Sequence, residues 1–303
     1  MQAPQQTTYE GRALARPDEE LTDQGLGFDI GTIVSRRGLL RAFGLGAAAV
    51  GLAACSSNAT SDTVSAPAAS TTGEIPEETA GPFPGDGSNG PDLLEQSGVV
   101  RSDVRSSFGD ATGTAGGVPM TLELLVTDLA NGGQPFAGVA VYVWHCTREG
   151  GYSLYSEGIT DQNYLRGVQV AAADGRVTFT SVVPGCYAGR WPHIHFEVYP
   201  DQASITDDSK VIATSQVALP QQMCETVYGE KGYEASAGNL SEVSLASDGV
   251  FGDDGGASQL ATVSGDVSSG YTARLTVGVD TSTTPTGGQG GGRGGARSGR
   301  PGG

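Results

Sequence analysis

The chain has 303 residues, with 34 Asp and Glu against 17 Lys and Arg, and carries a net charge of −17. That balance argues against nucleic acid as a main partner and favours solubility outside a cell. Once both low-complexity ends are set aside, roughly 205 residues remain, enough for one substantial core.

Near the N-terminus, Ser35-Arg36-Arg37-Gly38-Leu39-Leu40-Arg41 is a twin-arginine pattern, followed by an apolar stretch that ends in Leu52-Ala53-Ala54-Cys55. The stretch is short for a transmembrane helix and closes on small residues, so residues 1–55 read as an export signal. Cys55 in its Leu-Ala-Ala-Cys context resembles a lipobox cysteine, lipidated after cleavage; cleavage nearby with free secretion and an uncleaved membrane anchor are the alternatives. The protein is expected in the cell envelope or secreted. Residues 56–73, rich in Ser, Thr and Ala, read as a flexible linker.

The folded domain is expected over residues 74–280. Glu74 to Asp92 is rich in Pro, Gly and acids and reads as irregular coil wrapping a core. Alternating or β-branched runs then predict strands at 120–128, 138–146, 176–183, 193–199, 210–219 and 271–279. Turn sequences such as Ala173-Asp174-Gly175 and Val183-Pro184-Gly185 separate them. Pro220 to Tyr228 predicts one short helix, and no longer helical period is apparent. The pattern is all-β, a β-sandwich of mainly antiparallel strands with long loops.

Besides Cys55 there are Cys146, Cys186 and Cys224, an odd number that permits at most one internal disulfide. Buried free thiols are the equal alternative. Residues 281–303 lack apolar content and are expected to be disordered. Arg293, Arg297 and Arg300 make this tail weakly basic, and it reads as solvated.

Two of the three histidines fall in one stretch, Gly189 to Tyr199, within its predicted strand at 193–199. His193, His195, Glu197 and Tyr199 alternate with Ile194, Phe196 and Val198, so both imidazoles leave the same face, about 6–7 Å apart at Cβ. Two side chains at that spacing can close on one metal ion. Tyr152, after a Gly-Gly pair, and Tyr187, after Pro-Gly-Cys, sit at predicted turns upstream. A turn tyrosine ordinarily lays its ring over the core edge. A phenolate beside such a histidine pair is instead a hard anionic donor suited to Fe(III), and the set is poor for Zn²⁺, Ca²⁺ or Mg²⁺.

Glu78-Thr-Ala-Gly-Pro-Phe83, GGYS (150–153), NYLRGVQV (163–170), ADGRVTF (173–179), PGCYAGRWPHIHF (184–196) and TSQ (214–216) together resemble the intradiol ring-cleavage dioxygenases, the catechol and protocatechuate dioxygenase family. The resemblance runs from about Glu74 to Val279. It implies one non-haem Fe(III) per chain, held by Tyr152, Tyr187, His193 and His195, with Tyr187 the tyrosinate released when substrate chelates the metal. Arg190 matches an arginine that stabilises negative charge on the substrate, and Gln216 matches a supporting glutamine. The implied reaction opens a catechol-type ring between its hydroxyls with O₂, both oxygen atoms entering a muconate-type dicarboxylic acid. Asn163, Arg166 and Gly167 match a turn that supports the pocket. Tyr155 and Tyr164 are expected in packing or pocket lining, His145 outside the ligand set, and Glu197 at the surface or just behind the ligands.

The twin-arginine route resembles one that carries folded proteins, which suits a protein loaded with metal before export. Two other classes compete. A non-catalytic β-sandwich binding module predicts a missing ligand or arginine, and none is missing. A zinc hydrolase needs a third His, Asp or Glu ligand and a general base, for which no motif is apparent. Residues 224–264 fall outside the matching motifs and are expected to shape the mouth of the substrate site.

Overall fold

The computed structural model describes residues 73–285 together with two short strands, β1 (Thr8–Tyr9) and β2 (Arg12–Ala13). The chain divides into two compact units, Met1–Pro67 and Ala68–Gly303. In the first, β1 and β2 pair antiparallel. Apart from β1 and β2, the expected export signal lies outside the described residues, as do Cys55, nearly all of the linker and the tail beyond residue 285.

The second unit is a two-sheet sandwich. One sheet runs β10 (Thr262–Asp266), β11 (Gly270–Val279) and β3 (Pro119–Asp128), with β7 (Arg176–Val182) and the two-residue β4 (Gln134–Pro135) both pairing with β3. The other runs β6 (Arg166–Val170), β5 (Ala140–Trp144), β8 (His193–Tyr199) and β9 (Ala213–Ala218). Pairing is antiparallel throughout the unit's ladders except between β11 and β3, which run parallel.

Alternation explains the layers. Along β3, Met120, Leu122, Leu124 and Val126 are buried while their neighbours are partly exposed. They meet Val177 and Phe179 of β7 and Val141, Val143, Ile194, Phe196 and Val198 of the second sheet in one core. Each large side chain so buried contributes on the order of 2 kcal/mol.

The second sheet is buried on both faces: every residue of β5, β8 and β9 is buried. Its outer face is roofed by the coil after residue 74, whose Ala80, Leu93, Leu94 and Val99 pack with Tyr142, Trp144, Tyr152 and Tyr199. The coil is stitched to the edge strands: Glu78 N–H donates to Thr214 C=O at 2.8 Å, and Arg101 N–H to Val168 C=O at 2.9 Å. The expected coil is therefore a covering layer with defined backbone partners.

Several expectations need correcting. The strand expected from Lys210 starts at Ala213, because Asp207 caps a 3-10 turn at Asp208–Lys210 that turns the chain first. The short helix expected near Pro220 is present as α1 (Gln221–Val227), but a second, α2 (Glu234–Ser241), has no strong amphipathic pattern and was not foreseen. Strands β6 and β10 were not foreseen as strands either. Cys146, Cys186 and Cys224 are all buried free thiols, so the disulfide alternative falls. Burial pushes the thiol pKa of each up to about 12.

Candidate metal centre and active site

Strand β8 presents His193 and His195 on its roofed face, with their Nε2 atoms 3.1 Å apart. His193 Nδ1–H donates to the Trp191 carbonyl at 2.5 Å, a tautomer that leaves the Nε2 lone pair free. The His195 ring stacks on Trp144, its ladder partner on β5, with centroids 4.9 Å apart and planes 5° apart. His195 Nδ1 is buried with no hydrogen-bond partner among the described residues.

Two loops bring the phenols in. Tyr152 follows a tight turn in which Gly150 has φ +90°, a left-handed geometry that glycine adopts without strain. Its backbone N–H then donates to Ser156 Oγ at 2.8 Å. Tyr187 rides on the loop after β7, pressed against the first: Gly185 N–H donates to Thr147 C=O at 3.0 Å. A Cβ at Gly185 would lie 2.5 Å from the Arg148 carbonyl oxygen, so only glycine allows this approach. As a result Tyr187 Oη lies 3.2 Å from His193 Nε2, and Tyr152 Oη lies 3.4 Å from Tyr187 Oη and 3.5 Å from His193 Nε2.

The residues fit an ion. Metal–ligand bonds of about 2 Å put neighbouring ligand atoms about 3–3.5 Å apart, the spacing of these four donors. In the protein alone, burial pushes the Tyr152 and Tyr187 hydroxyls above the ordinary phenol range, with Arg190 partly opposing it for Tyr187. Burial also holds His193 down to about 3 and His195 well below its usual value, so both imidazoles are neutral donors. Two phenols that ionise only beside a strong positive charge and two neutral imidazoles suit a trivalent hard ion. Among the described residues no three His, Cys, Asp or Glu side chains converge on a metal-sized gap.

Arg190 stands beside this set with 15% of its side chain exposed. Its Nη2 donates to Gln216 Oε1 at 2.6 Å, and Gln216 Nε2 donates to Thr79 C=O at 2.9 Å. Its Nε donates to Asp248 Oδ2 at 3.0 Å. Burial opposes the guanidinium charge, but Tyr187 and Asp248 outweigh it and leave the pKa above its usual value. Asp248 belongs to the 224–264 stretch; its only signal in sequence is an Asp-Gly pair, which reads as a turn.

The remaining candidates are distributed around the site. Asn163 clasps Phe108, accepting from its N–H at 2.8 Å and donating to its carbonyl at 3.0 Å. Gly167 lies where a Cβ would meet Val104. Arg166 is fully buried and donates to Pro84 C=O, Ser153 Oγ, Ser153 C=O and the Tyr142 hydroxyl at 2.7–3.2 Å. Tyr155 packs on Phe83 beneath the Arg166 guanidinium and donates to Asn89. Tyr164 instead lines a surface cavity of about 460 Å³ with Arg148 and Glu157, to which none of the four donor residues contributes. His145 makes no hydrogen bond to the donors and is buried between the Cys146 carbonyl and Ser181.

Glu197 corrects the surface alternative: it is 1% exposed, accepts from the Tyr199 hydroxyl at 2.9 Å, and is pushed up to about 8 by burial. Alternation placed it on the histidine face, but not the coil that covers that face.

A model of the dioxygenase family matches residues 89–195. The chain is 44% identical over 55 residues to a chlorocatechol 1,2-dioxygenase of Rhodococcus opacus, a match covering 18% of this chain and 21% of that protein. The chain thus matches about a fifth of that curated relative's length. Among solved structures, an intradiol ring-cleavage dioxygenase of Tetranychus urticae aligns with a TM-score of 0.55 at 22% identity, over 69% of this chain and 95% of that one. A second dioxygenase structure aligns at 0.54 with the same identity and coverage. The dioxygenase family model thus covers residues 89–195, and the fold around them is similar to that of these solved dioxygenases.

Proposed function

We propose that the protein cleaves a catechol-type diol with O₂ between its two hydroxyls, using one Fe(III) per chain and releasing a muconate-type dicarboxylic acid. The observation that carries this reading is the convergence of Tyr152, Tyr187 and His195 on His193, whose Nε2 lies 3.1–3.5 Å from the donor atom of each. Bound there, Fe(III) would supply a Lewis acid that chelates the diol and draws electron density from it.

The chain's own residues do the rest. Tyr152, 2% exposed and locked beneath Phe83, is the anchored phenol. Tyr187, partly exposed on its loop, is the phenol free to swing away and take a diol proton on its Oη. Arg190, held by Asp248 and Gln216, keeps a fixed positive charge where negative charge grows on the ring oxygens. Trp144, Tyr142 and the roof of coil exclude water from behind the histidines. A non-catalytic binding module would have no need for an intact donor set with a braced arginine beside it.

The test is a visible spectrum and metal analysis of the purified protein, before and after anaerobic addition of catechol. Iron with a red-brown tyrosinate band that moves to longer wavelength with catechol supports the reading; a protein colourless after iron loading, or holding stoichiometric zinc, sinks it. Export through the twin-arginine segment, with a lipid on Cys55, is part of the proposal, motivated by residues 35–55. Mass spectrometry of the mature N-terminus checks it: a chain still beginning at Met1 in the cytoplasm would refute it. Extracellular plant-derived catechols are the proposed substrates, and O₂ uptake with an intracellular catechol but none of these would count against that choice.

A further inference from the structure

Asp248 has no exposed side-chain surface and gathers four N–H groups on two oxygens. Oδ2 accepts from Arg190 Nε at 3.0 Å and Trp191 N at 2.7 Å; Oδ1 accepts from Val250 N at 2.8 Å and Phe251 N at 3.0 Å. Only a carboxylate suits this arrangement. An asparagine would turn an NH₂ toward one pair of donors and lose both bonds.

The guanidinium has five N–H donors. Asp248 takes the one on Nε and Gln216 takes one on Nη2. Nη1 and the second Nη2 proton have no partner among the described residues. Gripped on two sides, the planar fork can neither rotate nor withdraw, and its remaining donors stay available beside Tyr187 and the partly open side of the site. A guanidinium held on one edge only would lose that orientation, and a misplacement of about 1 Å can cost about 100-fold in rate. The second oxygen ties this grip to the turn at Val250–Phe251, whose Phe251 is fully buried in the main core. The arginine is thereby referenced to the rigid sandwich rather than to its own loop.

We infer that Asp248 is the positioning residue of the reaction, orienting Arg190 toward the diol's oxygens. The inference rests on the dioxygenase reading above and extends it into a stretch beyond the family match at residues 89–195.

The test compares the full-length iron-loaded wild type with Asp248→Asn, Arg190→Gln and the double variant. Readouts are the tyrosinate absorption band, the anaerobic catechol dissociation constant, kcat from O₂ uptake, and the melting temperature. Asp248→Asn is expected to keep the band and bind catechol within about threefold, yet lose kcat by about 30- to 100-fold. The double variant should be no slower than Arg190→Gln alone, because both changes remove one function. Asp248→Glu keeps the charge and should recover part of kcat, and it carries the test if the Asn variant does not fold. Losses that multiply in the double variant, or a kcat that only follows melting temperature and lost colour, would mean a structural role and overturn the inference alone. A colourless, inactive wild type would overturn the dioxygenase reading and this inference with it.

Discussion

Replacing Arg166 by Met tests what holds the Tyr152 loop to the sheet. Arg166 is fully buried, with no carboxylate within 4 Å among the described residues, and makes its bonds to Pro84, Ser153 and Tyr142. Two magnitudes oppose each other. Bringing an unpaired guanidinium into the interior costs several kcal/mol, which the substitution recovers. Against this, charge-assisted hydrogen bonds are worth about 1.5–3 kcal/mol each. After the change Pro84 C=O keeps the Tyr142 hydroxyl at 2.6 Å and Ser153 Oγ keeps Tyr164 C=O at 2.7 Å, so Ser153 C=O is the group left without its partner. Two left-handed leucines, Leu154 (φ 72°) and Leu165 (φ 58°), flank these bonds, each costing about 1–2 kcal/mol that the arginine's bonds hold in place. The bonds win, and the expected net loss is about 3 kcal/mol. For a domain of this size that lowers the melting temperature by about 6–12 °C. Calorimetry of wild type and variant, with iron content measured alongside, reads both stability and the slackening of the Tyr152 loop. A variant as stable as wild type, with full iron, would show that desolvation of Arg166 outweighs its bonds and refute the reasoning.

Other outcomes follow from the same structure. His145, buried between Cys146 C=O and Ser181, is held down to about 4 from 6.5, so the unfolded chain binds the extra proton between those values. Its contribution is therefore complete above pH 6.5 and lost toward pH 4, on the order of 3 kcal/mol in all. His145→Gln should flatten the wild-type fall in stability across that window in denaturant titrations; an unchanged slope would exclude His145 as its source. Gly185→Ala forces a Cβ against Arg148 C=O, and overpacking against backbone costs about 1–3 kcal/mol. It should also part the Tyr152 and Tyr187 loops and weaken the tyrosinate band, whereas a variant with wild-type colour and stability would mean the loops separate freely. Finally, alkylation in native buffer should leave the peptides of Cys146, Cys186 and Cys224 unmodified, with all three labelled in denaturant without reductant. A pair that labels only after reduction would contradict the buried free thiols.

Much of this site is legible in the linear chain, because strand periodicity is a local property. Alternation alone puts His193 and His195 on one face of one strand, and the Gly-Gly and Pro-Gly steps mark Tyr152 and Tyr187 as turn residues. The sandwich follows likewise from short alternating runs between turns. What periodicity does not encode is which surface covers a face. The polar side of β8 reads as half solvated, yet coil from more than 90 residues upstream roofs it and buries Glu197. The meeting of Tyr152 with Tyr187 depends on two loops crossing at Gly185, and the orientation of Arg190 on Asp248, 58 residues away. Such contacts are chosen by packing and by the need of buried N–H groups and charges for partners, and only the folded chain brings those partners together.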